Sequence, residues 1–162
     1  MPELTPRVVF DCNLFVQGIA NRISPARKAL RLFFNGHISL FVSEPIIREV
    51  RDVLNRAELR RKLPDINDRI VNAFLTKLEA KAILLTNVPE EFHYERDPDD
   101  EIYINLAIVA SATYLLSRDK DLLDLMTTST DIARQFRSRY PFLRIMTAAS
   151  FITALETANA AL

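Results

Sequence analysis

At 162 residues, 49% of them apolar, the chain is long enough for one domain with a substantial buried core. Acids and bases balance at 21 each, so overall charge neither announces a nucleic-acid binder nor excludes one, since an acidic pocket can be offset by basic surface elsewhere. The single cysteine, Cys12, excludes an intramolecular disulfide, and two glycines exclude a P-loop or a glycine-rich dinucleotide fingerprint. His37 and His93 stand far apart with no cysteine at ligand spacing, which argues against zinc. The opening Met1-Pro2-Glu3-Leu4-Thr5-Pro6 lacks the basic and apolar regions of a signal peptide, and no apolar stretch approaches the roughly 20 residues that span a bilayer. A reducing, cytoplasmic setting is therefore expected.

Strand and helix signals alternate. Val8 to Phe10 reads as a buried strand. Ser24-Pro25 supplies an N-cap followed by proline at the first helical position, and Gly36 supplies the stop. Ile38 to Val42 is the second strand. Ser43-Glu44-Pro45 then repeats the cap-and-proline start for a helix to about Leu54. Helical segments follow over Ala57 to Leu63 and Ile66 to Ala80, separated by Pro64-Asp65. Ala82 to Leu85 is the third strand, and a polar loop from Thr86 to Pro98 precedes a helix over Asp99 to Ser111. Tyr114 to Ser117 and Leu143 to Met146 are the last two strands. The segment from Met126 to Pro141 reads as a solvated helix, and Thr147 caps a final helix to about Thr157. Such alternation implies an α/β domain, a mainly parallel sheet of about five strands covered by helices, with no repeat and no linker across residues 1–162.

Four acids stand where a carboxylate would meet a ligand at the C-terminal edge of such a sheet. Asp11 ends the first apolar run and Asp119 follows the fourth strand; either alone would serve as a cap or turn residue. Glu49 lies in the helix after Ser43. At about 100° per residue it borders the stripe that contains Ile46 and Val53, while Arg48 and Arg51 point away. Asp100 closes the run Asp97-Pro98-Asp99-Asp100-Glu101, which by itself suits a helix N-terminus. Its helical face continues into Ile104 and Ala107, and Glu101 competes with it for the same role. Carboxylates meeting at one edge form an oxygen-rich trap for a hard divalent cation.

The same residues resemble the PIN domains, small metal-dependent nucleases, over about Arg7 to Leu155. Val8-Val9-Phe10-Asp11-Cys12-Asn13 is similar to the family's opening strand and its Asp-x-Asn, with Cys12 where Thr or Ser is usual. Ser43-Glu44-Pro45-Ile46-Ile47-Arg48-Glu49-Val50 resembles the segment that ends in a catalytic Glu. Arg96-Asp97-Pro98-Asp99-Asp100-Glu101 resembles a subgroup's Arg-Asp-Pro-Asp-Asp, and Leu116-Ser117-Arg118-Asp119-Lys120-Asp121-Leu122-Leu123 resembles the fourth motif. Within the family the chain looks like the bacterial group described as toxin components of toxin–antitoxin systems.

The resemblance implies a PIN-like three-layer α/β/α sandwich acting as a Mg²⁺- or Mn²⁺-dependent endoribonuclease. Asp11, Glu49, Asp100 and Asp119 would be direct or water-mediated ligands. Asn13 and Ser117 would orient ligands or water, and Glu101 and Asp121 would support the site. Arg48, Arg51, Arg56 and Arg60 are the candidates for the RNA backbone. It further implies a homodimer and an antitoxin protein that places an arginine among the carboxylates. Two rivals from other classes stand beside it. One is a non-catalytic nucleic-acid- or protein-binding module on the same scaffold; the other is a phosphoryl-aspartate signalling domain using Asp11.

Overall fold

A computed structural model describes residues 4–160. Strands β1 (Arg7–Phe10), β2 (Ser39–Ser43), β3 (Ile83–Leu85), β4 (Tyr114–Leu116) and β5 (Arg144–Met146) form one sheet in the order β3-β2-β1-β4-β5, and every pairing is parallel. Helices α1 (Cys12–Ala20) and α2 (Pro25–Phe34) join β1 to β2. Helices α3 (Glu44–Leu54), α4 (Ala57–Lys62) and α5 (Asp68–Lys81) join β2 to β3. A 3₁₀ turn, Pro98–Asp100, runs into α6 (Glu101–Val109). Helices α7 (Lys120–Thr127) and α8 (Asp131–Arg139) lead to β5, and α9 (Ala148–Ala160) follows it. The result is the three-layer α/β/α sandwich that strand–helix alternation implies.

The central strands are covered on both faces, so their apolar runs are unbroken. Val8, Val9, Leu115 and Leu116 are wholly buried, and α6 lies across β1, β2 and β4. The edge strand β3 is different: Ile83 and Leu84 stay exposed. Among the described residues, no helix is long and apolar enough to cross a membrane.

The order places β1 at the turning point. The chain winds outward through β2 and β3, then returns to the other side of β1 for β4 and β5. Between β1 and β4 successive connections diverge, which opens a crevice beyond their C-terminal ends. Phe10 pairs with Leu116, and the ladder runs one residue further, with the Asp11 amide donating to the Leu116 carbonyl at 3.1 Å. Asp11 and Ser117 therefore leave the sheet side by side.

Two segments depart from the sequence reading. That reading placed no helix between β1 and Ser24, yet α1 occupies it, capped by the Asp11 side chain, which accepts from the Leu14 amide. Gly18, a poor helix former, obscures the pattern, and packing explains its presence. A Cβ there would come within 2.3 Å of Leu30 Cδ1 and 3.2 Å of the Ala26 carbonyl, so its absence lets α1 lie against α2. The second departure corrects the solvated helix expected across 126–141. Helix α8 is docked: Ala133 and Phe136 are fully buried, and the Phe136 ring lies 5.1 Å from Phe92 and 5.4 Å from Tyr140. Burying one such aromatic contributes about 1.5–3 kcal/mol toward docking a nine-residue helix that is largely polar elsewhere.

Candidate metal centre

Three loops and one helix bring acids to the crevice. Asp11 ends β1 and is 5% exposed. Ser117 ends β4; its hydroxyl donates to Asp11 Oδ2 and accepts from the Asp119 amide at 2.9 Å. The Asp119 carboxylate then caps α7, accepting from the Asp121 amide at 2.8 Å. One serine thus fixes both strand-end acids. Glu49, half-buried on α3, is held by the Tyr103 hydroxyl, which donates to its Oε2 from α6.

The fourth contribution is the 3₁₀ turn. Three residues per turn bring positions i and i+3 onto one side, so Asp97, which precedes the turn, faces the same way as Asp100. Carboxylate oxygens of Asp97, Asp100 and Asp119 all lie within 4.8 Å of one another. Asp100 is 8% exposed, and its Oδ2 is buried with no hydrogen-bond partner.

Such crowding has an electrostatic consequence. Burial pushes the Asp100 carboxyl up to about 8, helped by the charges of Asp119, Asp97 and Asp11. Asp11 is also raised, chiefly by burial and then by Asp119 and Glu49, although the Ser117 and Leu14 hydrogen bonds oppose the shift. Burial beside Glu49 and Asp11 pushes the Cys12 thiol up to about 12, which leaves it protonated and inert. A buried oxygen without a partner and mutual repulsion are what a hard divalent cation relieves, and the all-oxygen donor set fits such an ion.

Of the four acids expected at the site, Asp100 and Asp119 lie together with Asp97; Asp11 stands outside that group but acts electrostatically on Asp100, and Glu49 acts in the same way on Asp11. Glu101 is turned elsewhere: it accepts from the Tyr94 amide at 2.7 Å and pairs with His93 at 2.7 Å. Asp121 pairs with Arg96 at 2.5 Å, and Asn13 is exposed beside Asp11. Among the basic candidates, Arg48 pairs with Glu44, Arg51 with Glu79 and Arg60 with Asp68, while Arg56 precedes α4. Sequence reasoning missed Asp97, Tyr103 and Arg96. Proline after Asp97 was the available signal, because it starts the tight turn that pairs Asp97 with Asp100. Arg96 ties its loop to α7 through Asp121 and Asp124, and the Tyr94 hydroxyl adds a bond to the Asp121 carbonyl at 2.7 Å. A second convergence, Glu90, His93 and Glu101, is mostly exposed and is accounted for by hydrogen bonds to the His93 ring.

Comparison with known proteins identifies the family. The PIN domain profile matches residues 7–121, a span that holds all five acids of the crevice. An uncharacterized protein of Methanocaldococcus jannaschii is 27% identical over 156 residues, covering 96% of each chain. A profile matched from β1 through Asp121 covers well over half of the sequence, and the chain belongs to the PIN domain family.

Proposed function

We propose that this protein, as a single domain, is a Mg²⁺- or Mn²⁺-dependent endoribonuclease, with Asp11, Glu49, Asp100 and Asp119 holding the metal and Asp97 joining them. PIN domains are in general metal-dependent nucleases, and an acidic cluster is present in this chain. The observation that carries the reading is the buried Asp100 Oδ2, without a partner among carboxylates that raise its pKa. A fold does not keep such a group without a compensating ligand or proton.

When bound, a divalent cation supplies an acidified water and charge neutralisation at the phosphate. The chain's own residues do the rest. Ser117 orients Asp11 and the Asp119 backbone together, so the two acids hold their spacing without a metal. Each Asp11 oxygen accepts one protein hydrogen bond and keeps a second lone pair for an ion. Tyr103 holds Glu49, and in this reading Asn13, which lines the same cavity as Asp11, would orient water or substrate. Arg48, Arg51, Arg56 and Arg60 are the backbone-contacting surface in this reading; three of them must release an acidic partner to serve it.

The biological role proposed is that of a toxin component, homodimeric, cytoplasmic and blocked by an antitoxin whose arginine enters the carboxylate cluster. The deciding experiment is cleavage of labelled RNA with and without Mn²⁺. Metal-dependent endonucleolytic products support the enzyme, whereas RNA binding with no turnover in any divalent ion returns it to a binding module. Light scattering tests the dimer, and co-expression with an adjacent small gene tests the antitoxin.

A further inference from the structure

Two cavities of similar size open at the C-terminal edge of the sheet, one on each side of the turning point. The first, about 630 Å³, lies beyond β2 and β3, and its ionisable lining is entirely acidic: Glu44, Glu90 and Glu101. The second, about 640 Å³, lies beyond β1, β4 and β5 between the first turns of α2 and α9, and its ionisable lining is Asp11 and Arg118. We propose that the second cavity is a nucleotide subsite that receives single-stranded RNA beside the scissile bond. The proposal rests on the reading of the carboxylate cluster as the reaction centre and adds where the strand runs.

Charge decides between the cavities. A polyanion is repelled by a pocket lined with three glutamates, whereas the second pocket presents a guanidinium. Arg118 lies between Ser117 and Asp119, is exposed, and has no carboxylate partner among the described residues, unlike Arg48, Arg51 and Arg60. It lines the cavity together with Asp11 of the cluster. The remaining lining suits a base. Asn13, Gln17 and Asn21 bring carboxamides, which pair with base edges in either donor or acceptor sense. The Asn21 side-chain oxygen is committed to the Ile23 amide at 3.1 Å, which leaves its NH₂ available. Ile23, 87% exposed in the same lining, offers an apolar surface to a base face. A volume in the range of small-ligand pockets takes an unstacked nucleotide and refuses a duplex.

The test separates strand binding from chemistry. Affinity for a fluorescein-labelled single-stranded oligoribonucleotide is measured by anisotropy in EDTA, for wild type, Arg118→Ala and Ala149→Trp. Ala149 is exposed on the cavity wall, so the indole fills the space without entering the core and without changing charge. Each substitution should weaken binding about tenfold, with an unchanged melting temperature, and annealing the strand into a duplex should remove the sensitivity to Ala149→Trp. Unchanged RNA affinity in Ala149→Trp overturns the proposal, because an effect confined to Arg118 would be general charge attraction. In parallel, Mn²⁺-dependent hydrolysis of bis(p-nitrophenyl) phosphate by wild type tests the reaction centre alone. Hydrolysis with insensitive RNA binding removes the subsite and keeps the nuclease. Sensitive RNA binding with no hydrolysis keeps the subsite and removes the nuclease.

Discussion

Replacing Asp100 with asparagine isolates the electrostatic cost of the carboxylate cluster. In the unfolded chain this carboxyl titrates at its ordinary 3.8, whereas in the fold it is raised to about 8, by burial first and by Asp119, Asp97 and Asp11 next. The folded state therefore binds this proton more tightly. Its contribution is fully present below 3.8 and is lost as pH rises through about 8. At about 1.4 kcal/mol per unit, that interval sets an upper limit of about 6 kcal/mol. Water reaching a carboxyl at the open sheet edge reduces it, and we expect ~2 kcal/mol.

Asparagine keeps the shape and carries no charge at any pH. Near pH 8 in EDTA, Asp100→Asn should thus melt about 4–8 °C above wild type, at about 2–4 °C per kcal/mol for a chain of this size. Near pH 4 the two should melt alike. Mn²⁺ should reverse the order, since wild type gains about 2.7 kcal/mol when free ion exceeds its dissociation constant roughly 100-fold, and the variant has lost a ligand. Scanning calorimetry in the four combinations of protein and metal reads all of this. A variant that melts below wild type near pH 8 in EDTA refutes the electrostatic argument, and Mn²⁺ that moves neither protein refutes the ligand argument.

Asp11→Asn and Asp119→Asn should each abolish RNA cleavage with the fold intact, and each should raise the melting temperature in metal-free buffer; wild-type turnover by both would sink the site. Tyr103→Phe removes the hydroxyl that holds Glu49, so kcat should fall about tenfold, the equivalent of one hydrogen bond to a charged group, with KM unchanged. An unchanged kcat would show that Glu49 needs no such anchor. Arg96→Ala releases Asp121 and Asp124, and calorimetric titration should find Mn²⁺ affinity lower by on the order of tenfold; equal affinity would exclude coupling between the loop and the metal.

What could be read in advance depended on how local each cause was. Parallel strands buried on both faces leave unbroken apolar runs, and the residue after such a run stands at the ligand edge by construction, so the edge placement of Asp11, and of Asp119 two residues past Ser117, could be read. Caps are local too, and Ser24-Pro25 and Gly36 bounded α2 correctly: Ser24 accepts from the Arg27 amide, and Gly36 has φ +80°. Helix α1 was not legible because its glycine answers to a neighbouring helix rather than to its own propensity. Docking of α8 was invisible for a like reason, since Phe136 meets Phe92, far away in the chain.

The site divides along the same line. Its strand-end half is fixed by the sheet, but Asp97 and Asp100 ride on a loop whose closure relies on side chains distant in sequence. Tyr94 and Arg96 hold that loop to α7 by binding the Asp121 carbonyl and the Asp121 and Asp124 carboxylates. The tether places two more acids beside Asp119, against their repulsion. In the proposed centre, ion binding and loop docking would be one equilibrium: a cation that neutralised the cluster would also stabilise the docked loop, and a change that loosened the loop would weaken the ion. The 3₁₀ turn would consequently be the part of the proposed centre most able to respond to an ion, while the strand-end acids on Ser117 are already held by the sheet.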